Sequence, residues 1–127
     1  MSLGKNSSKV MLTPNFSEQE LACKCGCNKC EMDIKFLWRL EHIRSILGKP
    51  LIITSGYRCK KYNDSLKESS KTSRHLSGTA VDIKCEDAAD RFLLLRAAFT
   101  VGMNGVGVGD TFIHIDSRDL PGKIWLY

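Results

Sequence analysis

No apolar run in this 127-residue chain approaches the roughly 20 residues needed to span a bilayer, so no membrane span is expected. The N-terminal stretch MSLGKNSSKVMLTPN has two lysines but lacks the apolar core of about 7–15 residues that a secretory signal requires. There is no glycine-rich phosphate loop, no regular strand–helix–strand alternation, no internal repeat and no low-complexity tract. Lysines and arginines are scattered along the chain without interleaved aromatics, and no standard nucleic-acid motif is present, so nucleic acid is not expected as a partner. Histidine is scarce, with three in the whole chain.

What is present describes an ordinary soluble domain, 43% hydrophobic and 26% charged. The net charge of +5 favours polyanionic partners such as nucleic acid, anionic glycans or a membrane surface. Residues 1–15 are rich in Lys, Asn and Ser without periodicity and read as a flexible leader, which leaves 16–127 as one domain.

Ser17 and Glu20 stand in capping-box relation behind Phe16, which predicts a short helix over FSEQEL. From Asp33 to Leu47, Ile34, Leu37, Trp38, Leu40, Ile43 and Leu47 recur near a 3.6-residue period, and Gly48 with Pro50 ends that helix. LIIT (51–54) reads as a buried strand, residues 60–66 as a helical turn and ESSKTS as a polar loop. TAVDIKC alternates, placing Ala80, Asp82 and Lys84 on one face and Val81, Ile83 and Cys85 on the other. A second long helix begins near Asp87 or Asp90 and stops at Gly102; NGVGVG, FIHID and KIWLY follow as short β-like runs. Strands linked by glycine turns imply an α+β fold, an antiparallel or mixed sheet with helices packed on one side.

Six cysteines occur, four of them in CKCGCNKC. Cysteines one residue apart make poor disulfide partners. With no signal segment in view, synthesis in a reducing cytoplasm is expected, which favours thiols or a metal. The run Cys23, Cys25, Cys27, Cys30 has the donors for one tetrahedral zinc, a knuckle of the kind that serves nucleic-acid or protein contacts; the alternative is a turn of small, partly buried thiols.

His42 sits mid-helix and reads as a surface residue. His75 lies in a glycine-punctuated loop seven residues before Asp82, and His114 shares a strand face with Phe112 and Asp116. If the two strands are neighbours, His75, Asp82 and His114 form a three-ligand zinc site with a fourth position for water. The alternative is a turn-capping Asp82, a solvated His75 and a hydrogen-bonded core His114.

SRHLSGTAVD (73–82) resembles the S-x-H-x-x-G-x-A-x-D motif of peptidase family M15, the clan of zinc D-alanyl-D-alanine carboxypeptidases and L-alanyl-D-glutamate endopeptidases, whose fold is shared with the hedgehog signalling domain. FSEQELACKCGC looks like the start of the small domains of this family. SGYRCKKYN is similar to their S-G-Y-R-x-x-x-x-N stretch, and GVGVGDTFIHIDSR to their G-x-G followed by F-x-H-x-D. The resemblance runs from about Phe16 to Tyr127. It implies a hedgehog/DD-peptidase-like fold, Zn2+ held by His75, Asp82 and His114, Arg58 on a substrate carboxylate or developing oxyanion, and Ser73 as a pocket residue that binds substrate or braces the loop. Many family members carry a catalytic acid three residues before the second His, where this chain has Thr111. Asp116 fits the H-x-D form and is the expected base, with Asp110 the other nearby carboxylate.

The resulting expectation is a monomeric zinc metallopeptidase cutting a peptide bond in peptidoglycan stem peptides, as a carboxypeptidase or a phage-type endolysin made in the cytoplasm and acting at the wall. The rival is a zinc-containing binding module without turnover.

Overall fold

The computed structural model describes residues 9–66 and 72–127. Strands β1 (Met11–Thr13) and β2 (Phe16–Ser17) pair antiparallel as a small hairpin. The expected capping box forms at its end, with Ser17 Oγ accepting from the Glu20 N–H and the Glu20 carboxylate accepting from the Ser17 N–H, and it opens α1 (Glu18–Leu21). Helix α2 (Ile34–Leu47) starts on Asp33, whose carboxylate accepts from the Phe36 N–H, and ends on Gly48 in the left-handed region. There follow β3 (Ile53–Ser55), α3 (Lys60–Ser65), a 3-10 turn (Arg74–Ser77), β4 (Ala80–Lys84) and α4 (Ala88–Thr100), which Asp87 caps. The chain closes with β5 (Gly105–Val108), β6 (Phe112–Asp116) and β7 (Lys123–Leu126).

The main sheet runs β3-β4-β6-β5-β7, antiparallel throughout except for the parallel pair β5–β7, so the α+β architecture with a mixed sheet is what the chain adopts. Alternation along the strands sends Val81, Ile83, Val106, Ile113 and Ile115 to one face. There they form one core with Phe36, Leu37, Leu40 and Ile43 of α2 and Leu94, Ala97 and Ala98 of α4. The opposite face carries Asp82, His114 and Asp116.

Three expectations need correction. The leader was expected to extend to residue 15, yet Met11–Thr13 is a strand, and Asn15 donates from its backbone and side chain to Glu41 at 2.6 and 2.7 Å; residues 1–8 lie outside the described residues. LIIT was expected to be a buried strand. The strand is Ile53–Ser55 at the sheet edge, and with β4 on one side only, Ile52 stays 59% exposed. The buried stripe of α2 is also shifted: Ile34 and Trp38 are each 53% exposed, whereas Phe36 joins the core and Glu41 is buried where Asn15 of the hairpin donates to it. Most of the ESSKTS loop, through residue 71, lies outside the described residues.

Candidate metal centre

Pairing of β4 with β6 sets Asp82 directly opposite His114 on the face away from the helices. Side chains in such a cross-strand pair are neighbours by backbone geometry alone. His75 comes from the 3-10 turn preceding β4. Ser73 caps that turn by accepting from the His75 N–H at 3.2 Å, and Gly78 closes it in the left-handed region. A β-carbon at Gly78 would collide with the Glu31 carbonyl, so the glycine serves close approach as well as the turn. The SGYR segment clamps His75 from the other side: the Arg58 N–H donates to the His75 carbonyl at 3.1 Å, and His75 Nδ1 lies 2.7 Å from the Gly56 carbonyl.

The three side chains meet at one point. His75 Nε2 and His114 Nδ1 lie 3.2 and 3.1 Å from the same oxygen, Asp82 Oδ1, and all three residues are buried. Because a carbonyl only accepts, His75 carries its proton on Nδ1, and a neutral ring turns its Nε2 lone pair inward. His114 Nε2 lies 2.7 Å from Asp116 Oδ2, which likewise turns the Nδ1 lone pair inward. Two imine nitrogens and a carboxylate oxygen facing one another, with donor atoms all within 4.8 Å, form a set that a shared cation satisfies. Burial alone would raise the pKa of Asp82, but its bonds with His114 and His75 hold it well below the usual carboxylate range. Burial would lower that of His114, yet Asp116 and Asp82 raise it.

Arg58 lies in the wall of this site and donates to Asp82 Oδ2 at 3.1 Å, to Ser55 Oγ at 3.1 Å and to Asn63 Oδ1 at 3.4 Å. A guanidinium has five N–H donors, so it can brace the Asp82 carboxylate and still offer donors toward the cleft. Asp116, expected as the base, is placed differently. It is fully buried behind His114, and Arg118 holds it bidentately, Nε to Oδ1 and Nη2 to Oδ2, each at 2.8 Å. Burial would raise its pKa, but Arg118 and His114 keep it well below the ordinary range. Asp110 is exposed in the β5–β6 turn, where its carbonyl accepts from Arg91, and it does not line the cleft. His42 is exposed on α2, as expected.

The cluster forms the floor of a cleft of about 640 Å³. Its walls include residues that the sequence reading did not single out: Arg74, Arg118, Lys123, Trp125 and Tyr127. Trp125 packs on His114 with ring centroids 5.1 Å apart, and Arg118 sits 5.0 Å over the indole. Gly107, next to His114 in the sheet, makes room for them, since a β-carbon there would lie 2.6 Å from the Tyr127 ring and 2.7 Å from the Trp125 indole nitrogen. The G-x-G spacing was the available signal that something large lies across this face.

An α+β domain with two imidazoles and a carboxylate converging at the floor of a polar cleft has the layout that hydrolytic metal sites use. The chain belongs to the peptidase M15 family, whose sequence model matches residues 14–116. That span holds Arg58, Ser73, His75, Asp82, Asp110, His114 and Asp116, whereas β7 with Trp125 and Tyr127 lies beyond it. No curated protein matches the chain.

Proposed function

We propose that this chain is a zinc metallopeptidase that hydrolyses a peptide bond in peptidoglycan stem peptides, acting as a monomer at the cell wall. The observation that carries the reading is the inward convergence of His75 Nε2, Asp82 Oδ1 and His114 Nδ1, each ring held by an acceptor on its other nitrogen. Zinc held by these three would supply a Lewis acid and an activated water. Asp116 holds His114 in the required tautomer, Ser73 braces the His75 turn, and Arg58 orients Asp82 while its remaining donors serve a substrate carboxylate or developing oxyanion. Arg74, Arg118 and Lys123 line the same cleft, and this positive field suits the anionic carboxylates of a stem peptide.

One observation favours a second reading. Among the described residues, Asp82 is the single carboxylate lining the cleft, so a free proton acceptor of the usual kind is missing there, and Thr111 stands where many relatives carry the acid. A zinc-containing module that binds wall peptides without turnover accommodates that arrangement. Incubating zinc-loaded protein with purified peptidoglycan and analysing the soluble products by mass spectrometry separates the two. Release of D-Ala or of newly cut stem peptides, abolished by His75→Ala, is the expected result; saturable muropeptide binding without any cleavage establishes the module instead.

A further inference from the structure

Away from the cleft, a second group of metal-type donors comes together. Cys23, Cys25 and Cys59 place their sulfur atoms 3.5, 3.7 and 3.7 Å apart, and Cys27 Sγ lies within 4.8 Å of the others. None of the four is in a disulfide. We propose that Cys23, Cys25, Cys27 and Cys59 bind a structural zinc ion, separate from the ion proposed at His75, Asp82 and His114.

The spacing is what a tetrahedral thiolate site requires: four sulfurs at about 2.3 Å from zinc lie roughly 3.8 Å from one another. The backbone is shaped for it. The Cys23 N–H donates to the Lys29 carbonyl at 2.8 Å and closes the CKCGCNK turn, inside which Gly26 and Asn28 both take left-handed conformations. The Cys59 N–H donates to Cys23 Sγ at 3.4 Å, which joins the Cys59 backbone to the turn. Four thiolates leave no open coordination position, so the site is closed and its role is structural.

The ligand set differs from the contiguous run of four that the sequence offered. Cys30 is half-buried against the hydrophobic core, and its place is taken by Cys59, 36 residues beyond Cys23. Cys59 follows Arg58 directly, and the Tyr57 N–H donates to the Leu21 carbonyl at 2.8 Å. The metal therefore ties the turn after α1 to the segment that carries Arg58 and holds His75.

The test is metal content and cobalt(II) spectroscopy on the full chain purified under reducing conditions. About two zinc ions per chain are expected in the wild type and in Cys30→Ser, and about one in either the His75→Ala/His114→Ala double variant or Cys59→Ser. With cobalt(II), the thiolate-to-metal charge-transfer bands should persist in the double histidine variant and in Cys30→Ser and vanish in Cys59→Ser. If Cys59→Ser does not fold, titrating wild type with an organomercurial should release one zinc in step with modification of four thiols. Absence of thiolate-to-cobalt bands in folded wild type, their loss in folded Cys30→Ser but not in Cys59→Ser, or mercurial titration without zinc release overturns the proposal. Each outcome is independent of the histidine site, whose failure would show as lost zinc with the thiolate bands intact.

Discussion

Asp116 illustrates how one carboxylate two residues from a proposed ligand, His114, can be read in opposite ways. A general base needs an oxygen free to meet water, yet both oxygens of Asp116 are bound, one of them to His114 Nε2 and both to Arg118. An outer partner of this kind sets ring orientation and basicity. Asp116→Asn should therefore weaken zinc binding by about 10–100-fold in a competitive chelator titration. Unchanged affinity with lost turnover would return Asp116 to the role of base. Arg58 acts on the same cluster through Asp82 Oδ2. Arg58→Ala should lower kcat/KM by roughly 30- to 1000-fold, the effect of losing about 2–4 kcal/mol of transition-state stabilisation. Lysine should restore only part of it, lacking the planar fork that serves Asp82 and substrate together. Wild-type kinetics in Arg58→Ala would confine this residue to a structural ion pair.

At the scale of elements, the β1–β2 hairpin packs on α2 through Phe16 in the core and is tied to it by Asn15 donating to the Glu41 carboxylate. Burial would raise the pKa of Glu41, but the side-chain and backbone bonds from Asn15 hold it below the ordinary carboxylate range. A depressed folded-state pKa contributes stability that is present above the unfolded value and lost as the pH falls through the folded value. Wild type should thus exceed Glu41→Gln by about 1–3 kcal/mol at neutral pH, as expected for hydrogen bonds to a charged group. The gap should close below roughly pH 4, as the carboxyl becomes protonated. Denaturant unfolding at both pH values checks this, and an equal gap at each would mean that shape rather than charge holds the hairpin. On the same helix, Glu41 is buried at this contact and Trp38 stays outside.

For the molecule as a whole, the +5 charge acquires a location. Arg58, Arg74, Arg118 and Lys123 all line the cleft, and among the described residues the one carboxylate lining it, Asp82, is buried and paired. A low-dielectric cleft lined by one sign of charge concentrates anionic ligands, and salt screens that effect over about 10 Å at 0.1 M. KM for a muropeptide with free carboxylates should rise on the order of ten-fold between low and high salt while kcat stays constant. The amidated form of the same peptide should show little change, and identical salt profiles for both would remove charge from the account of substrate capture.

Local physics made much of this readable from the chain. Capping residues such as Ser17, Asp33 and Asp87 act within one helical turn, and strand alternation places Asp82 and Val81 on opposite faces whatever the rest of the fold does. The grouping of His75, Asp82 and His114 was legible because two strand faces and a seven-residue separation between His75 and Asp82 allow little else once β4 and β6 pair. Contacts between distant segments carry no such periodic signature. The partner of Cys23 is Cys59 rather than Cys30, Asp116 faces Arg118 instead of the cleft, and β7 returns parallel to β5 to set Trp125 on His114. Each of these depends on how packed elements are placed in three dimensions, and neighbouring residues along the chain do not encode that placement.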